Sequence, residues 1–378
     1  MELIERSKCC GCGACANICP KSAIKMESDI EGFRYPYIDV LKCVQCGLCK
    51  NVCSRKSEKE YSTGEAYAVF NIDKNERNKS SSGGVFILLA KEIIHENGIV
   101  YAATFDNKFK VVHRRCVNKC ELDKFIGSKY VQSDIEECYG QIVDDLKNQQ
   151  MVLFVGTPCQ VKSVNNYLNV RNIDSKNLIT VDFICHGVPS PLAWKKYIIQ
   201  QEKICKGRAI SVDFRNKIRG WKKYSMKISF DNGEDYIGTM DDDVYLDAFF
   251  RNLTLRPSCF ECGQKGQQKS SDLTIADFWG IERECPEFDD DKGCSFVVLN
   301  SEKGKNIFQK IQSNISDRKI EFDRGVNYNK GWYYSVEKPK KRDTFMRDLE
   351  RTEDFNHLVK KYSKKTGVWL LIRKILQR

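Results

Sequence analysis

Residues 9–20 read CCGCGACANICP. Cys9, Cys12, Cys15 and Cys19 follow the spacing C-x2-C-x2-C-x3-C, and Pro20 comes next. Cys43, Cys46, Cys49 and Cys53 repeat the spacing, with Ser54 where the first run has proline. The pattern puts the first three thiols of each run on a tight loop and starts a short helix at the fourth. Gly11, Gly13 and Gly47 free the loop backbone to approach whatever the thiols hold. With 378 residues the chain is long enough for about two or three domains with cores of their own, so the cysteines are not needed as staples. The chain opens MELIERSKCC, without the apolar run of a secretory signal, and is expected in the cytoplasm. In that reducing compartment its 19 cysteines are expected to bind metal or do redox work.

Three thiolates on one loop can wrap three irons of a cubane, and in two-cluster ferredoxins the fourth cysteine of each run ligates the other cluster. By that rule one 4Fe-4S cluster takes Cys9, Cys12, Cys15 and Cys53, and the second takes Cys43, Cys46, Cys49 and Cys19. Cys10 is left as a bystander. Between the runs, AIKMESDIEGFRYPYID predicts two short strands around a turn at Asp29 to Gly32. Zinc needs four ligands at tetrahedral spacing and would leave the third cysteine of each run unexplained. Residues 1–56 resemble a bacterial-type 2×(4Fe-4S) ferredoxin. Ser54 costs the helix start some rigidity and removes no ligand. Residues 57–64 are polar and unpatterned, and are expected to be a linker.

The body, residues 65–345, alternates strand-like and helical stretches. AYAVFNI (66–72), GIVYAATF (98–105), MVLFVG (151–156) and LITVDFIC (178–185) predict strands, the last two buried and parallel. Helices are expected from Val85 to Glu96 and over 134–149. SSSGG (80–84) lies directly before the first of them, so its serines are expected to cap that helix while backbone N–H groups face an anion. GSKYVQS (127–133) and GTPCQ (156–160) are further turns, the second at the carboxyl end of a buried strand, where open α/β sheets bind ligands. Cys159, Cys185, Cys259 and Cys262 stand in such loops and together supply four thiolates. Cys116, Cys120, Cys138, Cys205, Cys285 and Cys294 are read as packing or surface thiols.

The ordered series SSSGGVF, GSKYVQS, VLFVGTPCQV, VDFICHGVPSP, CFECGQKG and SDLTIADFWG, spanning about residues 65–305, resembles the coenzyme F420 hydrogenase/dehydrogenase beta-subunit family. The resemblance implies an α/β domain that holds FAD beside a 4Fe-4S cluster and exchanges hydride with a diffusible partner. It assigns the third cluster to Cys159, Cys185, Cys259 and Cys262. It places FAD against Ser81, Ser82, Gly83, Gly84, Ser128, Lys129, Tyr130, Gln132 and Thr157. A flavin joins one-electron cluster chemistry to two-electron hydride chemistry. Lys129 would place positive charge at the flavin, His186 would supply a proton, and Asp277 would orient a hydroxyl or substrate amide. The substrate is a small-molecule hydride acceptor, deazaflavin-like or other, and a one-electron carrier protein is the expected partner at the ferredoxin module. The competing reading is an electron-transfer subunit or scaffold of a larger oxidoreductase.

The expected fold is therefore mixed α/β: a two-cluster ferredoxin-like domain, an α/β body, and a helical basic tail over 346–378. The net charge is +11 and basic residues gather in that tail, which is read as a solvated helix face with a small apolar stripe (Val368, Leu371, Ile372, Ile375) rather than a membrane contact. No basic residues interleave with the cysteine loops and no known docking module is present, so nucleic acid is not an expected partner.

Overall fold

The apolar runs MVLFVG and LITVDFIC lie side by side in the centre of the sheet, as their lack of a polar alternate predicts. The structure, a computed structural model, describes residues 3–54, 64–135, 137–266 and 269–363. In the first module α1 (Ala14–Ile18) is followed by the antiparallel pair β1 (Ile24–Ser28) and β2 (Arg34–Ile38), closed by a turn in which Gly32 N–H donates to Asp29 O, and then by α2 (Leu48–Asn51). The expected linker lies outside the described residues apart from Gly64.

The body begins with β3 (Glu65–Asn71), α3 (Lys74–Lys79), α4 (Val85–His95), β4 (Ile99–Phe105), β5 (Val111–Cys116) and α5 (Cys138–Lys147). It continues with β6 (Val152–Val155), α6 (Pro158–Val170), β7 (Leu178–Phe183), α7 (Pro191–Cys205), β8 (Ala209–Asn216), β9 (Ser225–Phe230), β10 (Asp235–Thr239) and α8 (Val244–Phe250). Then come β11 (Leu273–Asp277), α9 (Ile281–Glu284), β12 (Ser295–Leu299), α10 (Glu302–Lys310), β13 (Ile315–Ile320), α11 (Phe322–Val326), α12 (Arg342–Arg351) and α13 (Phe355–Tyr362).

Eight strands form one mixed sheet in the order β13-β3-β12-β11-β7-β6-β4-β5. Its centre, β11-β7-β6-β4, is parallel, and antiparallel strands flank it on both sides. A second sheet, β10-β9-β8, stands beside it. The helix expected to start at 134 starts at Cys138, because Asp134 bridges to β5 through His113 N–H and its own N–H.

One face of the large sheet packs on α4 and α10 through Leu89, Ile93, Ile307 and Phe308. The other face packs on α5 and α6, and Ala14, Cys15, Ile18 and Val52 of the cysteine module belong to that same core. Phe33 and Tyr35 enter a third core with α7, α8 and β9. Arg342 is buried and makes a two-pronged ion pair with Glu31 of the module. The module is thus built into the body.

The boundary expected at residue 346 falls inside α12. Phe345, Met346, Leu349, Phe355, Leu358 and Val359 are buried against α7 and α8, so the described part of the expected tail is core. The basic residues misled because they occupy the outer faces of two amphipathic helices. The stripe from Val368 to Ile375 lies outside the described residues. Among the described residues no helix is long and apolar enough to cross a membrane. Phe345→Ala should cost about 3–5 kcal/mol in chemical denaturation, whereas Lys360→Ala, on the exposed face of α13, should change stability by less than about 0.5 kcal/mol. Equal small effects would return these helices to a solvated tail.

Candidate functional site

The two cysteine runs form the same turn. Gly13 and Gly47 precede α1 and α2 with φ of 78° and 77°, a left-handed conformation that glycine adopts without strain. Cys9, Cys12, Cys15 and Cys53 line one pocket. Burial pushes the Cys9 and Cys15 thiols up, and the nearby Cys53 pushes each further. Cys43 and Cys49 are half-buried, Cys46 is exposed, and Cys19 Sγ accepts from Ala23 N–H.

The runs differ in what they face. A Cβ on Gly47 would meet open space, whereas a Cβ on Gly11 (φ 69°) would lie 2.6 Å from Nη1 of Arg256. That guanidinium is fully buried. Its Nε donates to Cys9 O (2.7 Å), Nη1 to Gln132 Oε1 (2.9 Å) and Nη2 to Arg34 O (2.9 Å), and it lies over the rings of Tyr35 and Phe33. Gln132 in turn donates to Cys10 O (3.0 Å). Tyr139 donates to Cys12 O, and Asn166 to Val52 O and Cys53 O. The first run is pinned to the body, and the second is held at its Val52–Cys53 end while Cys46 is exposed.

A second pocket opens on the body side of that seam, lined by Cys10, Cys159, Cys185, Cys259 and Cys262. The sheet explains two of them. β6 and β7 are adjacent and parallel, and Cys159 and Cys185 follow their carboxyl ends, Cys159 on the first turn of α6. Cys259 ends the turn Pro257–Cys259 and its Sγ accepts from Val188 N–H (3.4 Å). Cys10 beside it and burial push the Cys159 thiol well above its usual value, while burial pushes Cys185 to about 11 and Cys259 to about 12. Thiols so raised bind as thiolates only against compensating positive charge.

Arg256, Lys265 and Lys269 line the same pocket. Lys265 donates to the carbonyls of Cys185 and Gly331, and Lys269 lies 4.0 Å from the ring centroid of Trp332. Among the described residues no ion pair joins any of the three to a carboxylate. The pocket therefore holds thiols and cations together, the buried Asp182 acting on Lys269 from beyond ion-pair reach, which suits an anionic cluster. Among the described residues no three His, Cys, Asp or Glu side chains converge as they would on a single ion. These thiols surround a hollow, as the ligands of a multi-iron cluster must.

The residues expected at FAD divide between two places. Gln132 and Thr157 sit at the cysteine seam, Thr157 capping α6 with Gln160 and its Oγ1 3.1 Å from Cys159 Sγ. Ser81 and Ser128 meet where Ser128 N–H donates to Ser81 Oγ (2.7 Å), which joins the SSSGG and GSKYVQS turns. The serines do not cap α4. Ser80 donates to Glu76 O, Ser82 to Cys294 O, and Gly83 N–H to Ser295 Oγ. Gly84 stands at the N-cap (φ 87°), and the first N–H groups of α4 have no side-chain cap. They remain donors toward an anion.

Around these turns stand three cations, Arg215 buried and Lys129 and Lys217 half-buried. Lys129 donates to the carbonyls of Phe125, Ile126 and Gly127; burial pulls its pKa to about 7, yet three acceptors require the three N–H bonds of the ammonium. Lys217, missed in the sequence, donates likewise to Arg77, Ser82 and Lys292. Arg215 donates to Tyr130 Oη (3.2 Å) and forms an ion pair with Asp277, which also accepts from Trp221 Nε1. The Asp277 carboxylate is spent on these partners, and its placement makes it the counterion of Arg215 instead of a group offered to substrate. Arg215 Nε is buried with no partner among the described residues. His186 lies in the cysteine pocket, its Nε2 2.7 Å from Asn252 Oδ1; burial lowers its pKa.

Arg256→Lys should lower the melting temperature and the iron content together, since one ammonium cannot reach three acceptors set around a planar fork. Gly11→Ala should do the same by displacing that guanidinium, while Gly47→Ala, strained but unobstructed, should cost less. Differential scanning calorimetry with iron assay on each variant checks the order.

Residues 149–322 match the family described as the C terminus of the coenzyme F420 hydrogenase/dehydrogenase beta subunit, and residues 8–57 match the 4Fe-4S dicluster domain. Among solved structures, a chain of the xenon-derivatized F420-reducing NiFe hydrogenase complex from Methanosarcina barkeri is 14% identical, covers 73% of this chain and 93% of its own length, and gives a TM-score of 0.48. No curated protein sequence matches. By its two matches the chain carries a domain of the coenzyme F420 hydrogenase/dehydrogenase beta-subunit family behind an N-terminal 4Fe-4S dicluster domain, and is an iron-sulfur protein of the oxidoreductase type.

Proposed function

We propose that the chain is an iron-sulfur flavoprotein oxidoreductase of the cytoplasm. Cys9, Cys12, Cys15 and Cys53 hold one 4Fe-4S cluster, Cys43, Cys46, Cys49 and Cys19 a second, and Cys159, Cys185, Cys259 and Cys262 a third. FAD lies against Ser81, Gly84, Ser128, Lys129 and Tyr130. The observation that carries this reading is the seam pocket, where half-buried thiols and the cations of Arg256, Lys265 and Lys269 face one another, with no ion-paired carboxylate among the described residues. When bound, the clusters supply one-electron steps and FAD pairs them as hydride for a small-molecule acceptor.

The protein side of that chemistry is arrangement and charge. Tyr37, Val40, Leu41 and Val44 are exposed beside Cys43 and Cys46, an apolar surface suited to a one-electron carrier protein. Cys9, Cys12 and Cys15 come next inward, and the seam thiols lie beyond them at the carboxyl edge of the parallel strands. Lys129, Arg215 and Lys217 hold positive charge at the turns that take FAD, where the open amides of α4 add to it. His186 keeps the Asn252 side chain and the seam wall in place.

Anaerobically purified protein should contain FAD and about twelve irons, and Cys159→Ser should lose about four of them while keeping the ferredoxin-type EPR signals. Flavin-free protein with about eight irons would contradict both the third cluster and the FAD site. Turnover with a purified deazaflavin or other small acceptor, rather than dye reduction alone, separates a complete enzyme from an electron-transfer subunit.

A further inference from the structure

The turn after β2 holds apolar side chains out in water. Leu41 is 95% exposed, and Tyr37, Val40 and Val44 are exposed with it. Their backbone is fixed: Asp39 N–H donates to Ala23 O, Lys42 and Cys43 N–H donate to Asp39 O, and the Asp39 carboxylate accepts from Leu41 N–H (3.1 Å). A leucine fixed in water adds nothing to the stability of the module, and apolar side chains grouped in this way mark a contact surface. The group sits on the second cysteine run. Val40 and Leu41 precede Cys43, Val44 lies between Cys43 and Cys46, and Cys46 is itself exposed.

Lysines stand around it. Lys42 and Lys50 adjoin Cys43 and Cys49 in the chain, Lys25 is opposite Tyr37 in the β1–β2 register, and Lys21 lies two residues before Ala23, which holds the turn. All four are exposed. Among the described residues no carboxylate pairs with Lys21, Lys25 or Lys50, and Lys42 meets only Asp39, at 3.5 Å. The module's other described carboxylates are engaged or distant. Glu5 pairs with Lys8, Glu31 pairs with the buried Arg342, and Asp29 accepts from the amides of Glu31 and Phe33 in its own hairpin turn. Glu27 lies opposite Tyr35, further along β1 from the cysteine run. An apolar centre within a rim of positive charge complements a partner whose apolar contact is rimmed by carboxylates.

We propose that this face is the docking site of a small acidic one-electron carrier protein, whose carboxylates meet Lys21, Lys25, Lys42 and Lys50 and whose redox centre comes over Cys43 and Cys46. The place of the patch on a redox site, with Cys46 at the surface, favours a protein that carries an electron over an anionic lipid surface. One electron crosses in each encounter, so that the carrier is oxidised and the cluster reduced, or the reverse; no bond forms or breaks. The inference names the chemistry of the carrier and rests on the reading that Cys19, Cys43, Cys46 and Cys49 hold a cluster.

The test uses the full chain, purified anaerobically, and an acidic flavodoxin, whose one-electron steps are read in stopped flow from its blue semiquinone. The second-order rate should fall about 10-fold to 100-fold between about 20 mM and about 500 mM salt, as attraction between opposite charges is screened. The double variant Lys21→Glu, Lys50→Glu should be about 10-fold slower at low salt and lose most of the salt dependence. Lys25→Glu, away from any ligand, should act in the same direction even where that pair disturbs cluster assembly, and Leu41→Ser should slow transfer at every salt concentration. Lys203→Glu, Lys360→Glu, an equal change of net charge on α7 and α13, should alter the rate less than about 2-fold. A rate independent of salt, or slowed equally by the two double variants, would overturn the docking site while leaving the clusters in place. So would the absence of transfer in either direction from protein whose clusters dithionite reduces. Binding to phosphatidylserine vesicles that Lys21→Glu, Lys50→Glu abolishes, with flavodoxin transfer unchanged, would overturn it by assigning the face to lipid. An iron content that Cys46→Ser leaves unchanged, in place of a loss of about four irons, would remove the cluster reading itself and the docking site with it.

Discussion

Arg256 carries a full positive charge into a buried place where, among the described residues, no carboxylate pairs with it, and the meeting of the two parts of this chain depends on how that charge is satisfied. Its three nitrogens reach Cys9 O, Gln132 and Arg34 O, and aromatic faces of β2 cover it. Charge-assisted hydrogen bonds of this kind are worth about 1.5–3 kcal/mol each, but burying a guanidinium costs several kcal/mol unless negative charge lies close. In the proposed reading the negative charge near it is that of thiolates on iron on both sides of the seam, and that reading makes cofactor loading and docking of the cysteine module on the body one event.

That constraint orders the sites. Gly11 has no room for a side chain because Arg256 fills it, so the first run can only face the body. A Cβ on Gly47 would meet nothing within 4 Å, so the second run, with exposed Cys46, is open on that side. The parallel centre of the sheet then delivers Cys159 and Cys185 to the edge where the first run docks. A surface-to-interior sequence of thiol sites follows from one buried cation and one strand order.

The cysteine runs, the hairpin between them and the parallel strands were legible in the sequence because each is decided over a few neighbouring residues. What was not legible depends on long-range contacts. Ser82 answers to Cys294 O, 212 residues away, and Ser81 to the amide of Ser128, so their resemblance to helix caps was misleading. Asp277 looked available until Arg215 closed on it, and Lys217 gave no local signal. The helices from 342 to 362 read as a basic tail because burial against α7 and α8 is invisible in their charge. Cys10 looked superfluous for the same reason: it lines both cysteine pockets only because the two modules meet.

The central claim is that the chain holds three cluster sites, two in the cysteine module and one at its seam with the body. Anomalous diffraction at the iron edge from anaerobically grown crystals tests it most directly. The account predicts three iron sites: one among Cys43, Cys46, Cys49 and Cys19, one among Cys9, Cys12, Cys15 and Cys53, and one among Cys159, Cys185, Cys259 and Cys262. Iron confined to the first module, with the seam thiols bare, would contradict it.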